Sequence, residues 1–300
     1  MLLNSSKLLE MLEFRLKSFS EETNLFAQKY FGDLSGPDDF YNYMGIVGDN
    51  PKVVFMCQYN SNSAKYPGKN SLKLENGRIS QEDDFRNSVN GFTEVVSAYI
   101  MLELMERKVP GIYFFLGDDK STTETFWLAG SPIKNSAQWE VAKLADYAIY
   151  FGKTEFTEFQ YTSAGHRMCS DEFKHQISEY FGLKAVLEYG DGDSLITFNV
   201  SEFAEYVPEC VVMPVGVKHP YGAKVWTEDL LKEVYVDLNS VAKIIELTAN
   251  CDWENFSVKR TPSCFSEFVG FEESFGNSQN PSHKPSQNSG FFSWLGKLFS

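Results

Sequence analysis

The sequence predicts an α/β fold: a three-layer sandwich in which a mixed, mostly parallel sheet is flanked by helices. Short apolar runs rich in Val, Ile, Phe and Tyr are typical of buried strands. Segments with the apolar spacing of helices lie between these runs. Strands that alternate with helices along a chain indicate a parallel sheet covered on both faces.

Five apolar runs are predicted as strands and three segments as helices. The strands are residues 52–59, 111–116, 145–151, 184–189 and 210–215. The helices are residues 92–107, 171–181 and 238–248. The first helix is apolar around most of its circumference, which indicates burial, whereas the other two carry an apolar stripe on one face.

Four regions follow from composition along the chain. Residues 1–34 contain leucines at helical spacing and are predicted to form a helical segment packed on the domain. Residues 35–250 form the α/β domain. The composition changes after about residue 250, residues 271–290 are rich in Ser, Asn, Pro and Gly, and residues 251–290 are predicted to be a flexible linker. Residues 291–300 end the chain as a separate apolar peptide.

The net charge and the cysteines exclude some classes of partner and location. The net charge is −14 and the 27 Lys and Arg residues are scattered, so nucleic acid is not an expected partner. Five cysteines, without CxxC spacing, favour a reducing compartment, and we expect a cytoplasmic location. The sequence contains no run of 18 apolar residues, so no membrane span is predicted.

Polar residues follow several predicted strands at the points where the strands end. Gln58 lies near the end of the first strand and Asn60 follows it. Asn87 precedes the long helix, and Asp118 and Asp119 follow the second strand. The carboxyl ends of parallel strands meet at one edge of a sheet, where open α/β sheets bind their ligands.

Later elements continue this order. The third strand runs into Gly152, a Gly-Asp-Gly-Asp-Ser turn contains Asp193, and the last strand leads to His219 and Tyr221. The succession of elements over about residues 35–250 resembles the di-zinc aminopeptidases, the leucyl/glutamyl-aminopeptidase-like exopeptidases. The resemblance implies their three-layer fold and a site at the carboxyl ends of the strands.

The resemblance also implies which residues would hold metal. The family has a His-x-Asp step where this chain has Gln58-Tyr59-Asn60, a metal-bridging Asp at Asn87, and Glu-Glu at Asp118-Asp119. It has an Asp ligand at Gly152. A further zinc ligand, a His, corresponds to either His219 or Tyr221, depending on a two-residue shift in the alignment.

The chemistry of these positions argues against zinc. Zinc is held by imidazole, thiolate or carboxylate, whereas amides are weak ligands and glycine has no side chain. We therefore expect no cofactor, no catalytic residues, and a binding or scaffold protein built on a peptidase-like fold. The alternative is a metal-dependent aminopeptidase or amidohydrolase, with Asp118 as general base and Asp119, Asp193 and His219 around one zinc ion.

The terminal peptide has a heavy apolar face at helical spacing. Its predicted partner-binding residues are Phe291, Phe292, Trp294, Leu295, Leu298 and Phe299. About ten residues do not hold a helix alone in water, so this face needs a surface to pack on. We expect a groove on a protein partner; its own domain, a sister subunit and a membrane surface are alternatives.

Overall fold

The computed structural model describes most of the chain in ten stretches. These are residues 3–17, 23–36, 42–59, 72–81, 92–117, 137–154, 156–163, 166–187, 203–218 and 234–262. The helices are α1 (Ser5–Lys17), α2 (Thr23–Phe31), α3 (Phe92–Glu106), α4 (Ala137–Ala142), α5 (Asp171–Phe181) and α6 (Leu238–Ala249). The strands are β1 (Tyr43–Val47), β2 (Val53–Gln58), β3 (Leu72–Glu75), β4 (Arg78–Gln81), β5 (Gly111–Leu116), β6 (Tyr147–Lys153), β7 (Glu158–Gln160), β8 (Thr162–Ser163), β9 (His166–Arg167), β10 (Lys184–Val186), β11 (Glu209–Pro214), β12 (Val217–Lys218) and β13 (Tyr235–Asp237).

Seven strands form the central sheet, in the order β1-β5-β2-β6-β11-β7-β10. The four central strands β5, β2, β6 and β11 run parallel to one another. β1 lies at one edge of the sheet, antiparallel to β5. On the other side, β7 is antiparallel to β11, and the last strand, β10, is parallel to β7. The sheet is therefore mixed and mostly parallel, and the predicted fold class is confirmed.

The central strands are buried on both faces, as the apolar runs predicted. In β2, Val53, Phe55 and Cys57 belong to one apolar cluster, and Val54 and Met56 belong to the other. Helices α1, α2, α3, α5 and α6 contribute to the first cluster, and α4 contributes to the second. Because side chains alternate along a strand, each strand contributes to two layers of core.

A second sheet, in the order β12-β13-β4-β3, was not predicted from the sequence. Its hairpin β3–β4 turns at Asn76 and Gly77, which have φ values of 50° and 74°. Two positive φ angles in a two-residue hairpin loop are the reason for the Asn-Gly preference. The Asn-Gly dipeptide between the two runs is therefore a signal that could have predicted this hairpin.

The N-terminal helices pack on the domain through apolar side chains. Leu8, Met11 and Phe26 are buried, and the Tyr99 hydroxyl on α3 donates a hydrogen bond to the Asn4 carbonyl at 3.2 Å. Across the described stretches, every helix is too short or too polar to cross a membrane.

The domain continues past residue 250, where the sequence analysis began the linker. Trp253 is buried, and the Tyr147 hydroxyl donates to the Phe256 carbonyl at 2.8 Å. Ser257 N donates to Gln176 Oε1, also at 2.8 Å. Residues 251–262 thus pack on the sheet and on α5. The composition of this segment did not predict its packing, because the contacts are made mainly by two aromatic rings and by backbone groups.

One buried carboxylate holds this segment in place. Glu209, at the start of β11, is fully buried. Its oxygens accept from Ser170 N at 2.7 Å, Lys259 N at 2.8 Å and Arg260 N at 3.0 Å. The Arg260 guanidinium in turn donates twice to the Ala204 carbonyl, both at 3.1 Å. We call this arrangement the Glu209–Arg260 clasp.

The clasp predicts a large cost for a small change at Glu209. Glu209→Gln keeps the shape but directs an NH2 group at backbone N–H donors, leaving at least one donor without an acceptor. We expect a loss of about 2–4 kcal/mol in the free energy of unfolding, measured by urea denaturation. Glu205→Gln, at an exposed position, is the control and should stay within about 0.5 kcal/mol of wild type. Equal effects would show that the clasp is not stabilising.

A second stability prediction concerns Gly216, between β11 and β12. Its φ is +80°, and an added Cβ would lie 2.9 Å from Val241 Cγ2 and 3.0 Å from Val241 N. Gly216→Ala therefore combines backbone strain with a clash against α6, and we expect a loss of about 2 kcal/mol or more. Gly182→Ala is the matched control: φ is +66°, but the nearest atom is Lys243 Nζ at 3.7 Å, so only about 1 kcal/mol should be lost. Similar urea midpoints for both variants would contradict the steric argument.

Candidate functional site

The carboxyl ends of the four neighbouring parallel strands β5, β2, β6 and β11 lie together in the central sheet. β2 ends at Gln58, which pairs with Leu116 at the end of β5. On the other side of β2, β6 ends with Gly152 and Lys153. Ligands of open parallel sheets bind beyond such strand ends. We call this end of β2, β5, β6 and β11 the carboxyl edge.

Tyr59 fixes the path of the chain beyond β2. It is almost fully buried, and its N–H donates to the Leu116 carbonyl at 3.1 Å. Its ring packs edge-on against Phe31, with centroids 4.9 Å apart, and stacks with Phe26 at 6.5 Å. The aromatic cluster under α2 therefore anchors the residue after Gln58, so that Gln58 is held at the carboxyl edge.

Asn42 fixes the path of the chain beyond β5. Its side chain is buried, and its Oδ1 accepts from Gly117 N at 2.9 Å. Gly117 is the residue directly before Asp118. The end of β5 is thus tied to the segment that leads into β1, and the chain leaves the sheet from a fixed point.

β6 ends in an irregularity next to β11. Phe151 pairs with Met213, but the next pair joins Lys153 to Pro214, so Gly152 is the extra residue of a β-bulge. Bulges bend a strand and change the direction of its side chains, and they are common beside functional sites. The position that the aminopeptidase resemblance assigns to an Asp ligand is therefore a glycine inside a bulge.

The residues after Gly152 are polar and buried. Lys153 is 4% exposed and Thr154 is 5% exposed. The Lys153 carbonyl accepts from Val215 N at 3.0 Å, which joins β6 to the end of β11. Lysine is almost never this buried in proteins unless it is paired, because a charged amine loses its hydration.

Of the residues that the sequence analysis placed in the site, the structure describes two. Gln58 is partly exposed and Gly152 is buried, on adjacent strands, as expected from their positions at strand ends. Several predicted site residues lie outside the described residues: Asn60, Asn87, Asp118, Asp119, Asp193, His219 and Tyr221. The terminal peptide also lies outside them, with Phe291, Phe292, Trp294, Leu295, Leu298 and Phe299.

The two described positions do not fit a zinc ion. Gln58 offers a neutral amide and Gly152 offers no side chain, whereas zinc takes imidazole, thiolate or carboxylate. Within the described stretches, His, Cys, Asp and Glu side chains do not gather in groups of three or more that could hold a metal.

Cys57 precedes Gln58 but does not have the properties of a nucleophile. It is fully buried, and burial raises the pKa of its thiol well above the ordinary value. The Glu94 carboxylate, in the first turn of α3, raises that pKa further. A thiol under these conditions stays protonated at neutral pH and is inert.

The sequence analysis missed three polar residues near this site: Asn42, Glu94 and Lys153. Lys153 could have been noticed as the polar end of an otherwise apolar strand, directly after Gly152. Asn42 and Glu94 have no comparable signal. Asn42 reaches the end of β5 across 75 residues of chain, and that contact exists only in the folded sheet.

Comparison with solved structures gives a fold but not a family. The chain is similar to a tripeptidase from Staphylococcus aureus subsp. aureus Mu50, with a TM-score of 0.51 at 10% identity, over 84% of this chain and 100% of that one. It is also similar to an aminopeptidase from Desulfurococcus kamchatkensis, with a TM-score of 0.49 at 10% identity, over 89% and 99%. Neither the protein-family models nor the curated proteins that were searched match the sequence. The chain therefore has a peptidase-like α/β fold, as the resemblance implied.

Proposed function

We propose that this chain uses a peptidase-like fold as a binding or scaffold module and does not act as a zinc peptidase. The observation that carries the proposal is the end of β6, where Gly152 stands in a bulge and Lys153 follows it as a buried residue. The resemblance assigns an anionic zinc ligand to this position. A missing side chain next to a basic amine cannot replace that carboxylate.

Gln58 supports the same proposal from the neighbouring strand. Two adjacent zinc ions repel each other, and carboxylate and imidazole ligands must offset that repulsion. The Gln58 amide carries no charge, and the sequence places the amide of Asn87 at the position of the bridging carboxylate. The loss of charge at these positions is therefore a reason to expect weak metal binding.

We further propose that the terminal peptide, residues 291–300, docks onto a protein partner. Its support is the apolar face described above. The Glu209–Arg260 clasp also indicates from which part of the domain the chain continues toward the terminal peptide. The last described residues are held at Glu209, at the amino end of β11, and that strand has six residues. The last described residues therefore lie about 17–20 Å from the carboxyl edge, so docking of the terminal peptide need not involve that edge.

The reach of the tether is compatible with a separate partner. As a flexible coil, residues 263–290 would span about 30 Å on average. That distance lets the peptide bind a neighbouring protein without moving the domain. The alternative function, a hydrolase with Asp118, Asp119, Asp193 and His219 at one metal, makes a different prediction for metal binding.

A zinc titration separates the two functions. Protein purified without chelator should contain no stoichiometric metal, and added Zn²⁺ should shift the melting temperature by less than about 1 °C, because a ligand that does not bind the folded state cannot stabilise it. Asp119→Ala should behave in the same way as wild type. A zinc-dependent rise that disappears in Asp119→Ala would instead support the hydrolase, and a panel of aminoacyl substrates would then test for turnover.

If the terminal peptide docks onto a protein partner, its apolar face, and not the length of the tail, should determine the affinity. Removing residues 291–300, or making the double change Leu295→Ala with Phe299→Ala, should reduce partner capture at least 10-fold, because each deleted side chain removes apolar area from the contact. The matched control is Ser293→Ala with Ser300→Ala on the polar face, which should bind as wild type does. Identical sets of captured proteins from full-length and truncated chains would show that the peptide has no docking role.

A further inference from the structure

The second sheet ends, within the described residues, at a strand that has a partner on one side only. Its order is β12-β13-β4-β3, so β3 pairs with β4 and its outer side faces away from the sheet. Such an edge presents backbone N–H and C=O groups to another strand. The central sheet differs at its edge strand β1, where Ser35 N donates to the Met44 carbonyl at 2.9 Å and Met44 N donates to the Ser35 carbonyl at 2.8 Å.

An apolar row crosses the second sheet and ends at this edge. The residues that pair in order across the sheet are Val217, Val236, Ile79 and Leu74. The first three side chains are buried, whereas Leu74 is 43% exposed. Side chains that pair across strands lie on the same face of a sheet. A strand added beside β3 would therefore extend the row and cover Leu74.

The hairpin turn decides which backbone groups of β3 face outward. In a two-residue hairpin loop the flanking residues, here Glu75 and Arg78, form a hydrogen-bonded pair. Hydrogen-bonded and non-hydrogen-bonded pairs alternate along an antiparallel ladder, so the next pair, Leu74 with Ile79, is of the second kind. The N–H and C=O groups of Leu74 thus point away from β4. Leu74 brings a donor, an acceptor and an apolar side chain to the same edge.

Charge favours one register for pairing β3 with a second copy of itself. Lys73 and Glu75 lie on the opposite face of β3 from Leu74, with Lys73 Nζ 3.6 Å from Glu75 Oε2. If Leu74 lies opposite Leu74 of the second copy, each Lys73 lies opposite a Glu75. A shift of two residues, which keeps the faces, places Lys73 opposite Lys73 or Glu75 opposite Glu75. Opposite charges stabilise a strand pair and like charges destabilise it, so β3 is self-complementary in the register centred on Leu74.

We propose that β3 pairs antiparallel with β3 of a second copy of this chain, in a two-fold dimer centred on Leu74. The two Leu74 residues exchange backbone hydrogen bonds and join the apolar rows of the two chains, and two Lys73–Glu75 pairs form on the other face. A two-fold contact of this kind closes with two chains. Its area is small, so we expect a weak dimer with a Kd of about 10–100 µM. The dimer does not depend on the proposed function.

Analytical ultracentrifugation of the full chain, from about 2 µM to about 1 mM, tests the dimer. The mass should rise from one chain toward two and no further. Leu74→Lys places two ammonium groups opposite each other and should weaken association at least 10-fold. The matched control is Ile46→Lys, at a 45% exposed residue on the edge strand of the central sheet, and it should associate as wild type does. A chain that stays single at the highest concentration, or equal effects of the two variants, would contradict the proposal.

Charge exchange tests the register. Lys73→Glu and Glu75→Lys each place like charges at both flanking positions, so each variant alone should self-associate at least 10-fold more weakly than wild type. A mixture of the two variants has opposite charges at both positions and should recover association, with one chain of each kind. The double variant, Lys73→Glu with Glu75→Lys, should recover it as well. Association that ignores these changes, as a dimer formed through the terminal peptide would do, shows that β3 is not the interface.

Wild-type protein provides a test that needs no variant. Amide hydrogen exchange, followed by NMR, should be fast at Leu74 in dilute protein and at least 3-fold slower where the dimer predominates, because its N–H gains an acceptor. The Lys73 amide, which faces β4, should exchange at one rate throughout. Slow exchange at Leu74 already in dilute protein would mean that the chain covers its own edge, and the proposal would be wrong.

Discussion

The burial of four parallel strands on both faces is the constraint on which the rest of this structure depends. β5, β2, β6 and β11 place apolar side chains in two separate core clusters. A polar group inside these layers loses its hydration, which favours polar groups at the strand ends. Helices must then cover both faces of the sheet, and the chain changes direction beyond the ends of the strands. The candidate site and the clasp lie at opposite ends of the same strands for this reason.

The amino and carboxyl ends of the parallel strands differ in their charged groups. At the amino end, Glu209 is buried but saturated by three backbone N–H groups, and Arg260 donates to carbonyls close by. Each charge there is matched within the protein, so the group acts as structure. At the carboxyl end, the resemblance to aminopeptidases implies a metal-binding carboxylate at the position of Gly152, which has no side chain.

The sequence predicted much of the fold and less of the site. The apolar runs gave β2, β5, β6 and β11 within a few residues, because strands buried on both faces have no polar alternation to obscure them. Strand β10 is shorter than its predicted run, at Lys184–Val186, and it lies next to β7, a strand too short to stand out in composition. The hairpin at Asn76 and Gly77 had a readable signal in its turn. Gln58 and Gly152 could be placed at strand ends because each directly follows an apolar run.

By itself the sequence determined the α/β class, the order of the central elements and the identity of the side chains at Gln58 and Gly152. These properties depend on local patterns, since burial of a strand and the identity of a side chain are written in neighbouring residues. Only the tertiary structure decided that Lys153 is buried, that Asn42 holds the end of β5, and that Glu209 ties down residues 259 and 260. These features join groups that are far apart in the chain, and their energies come from desolvation and from hydrogen bonds that exist only after the sheet has formed.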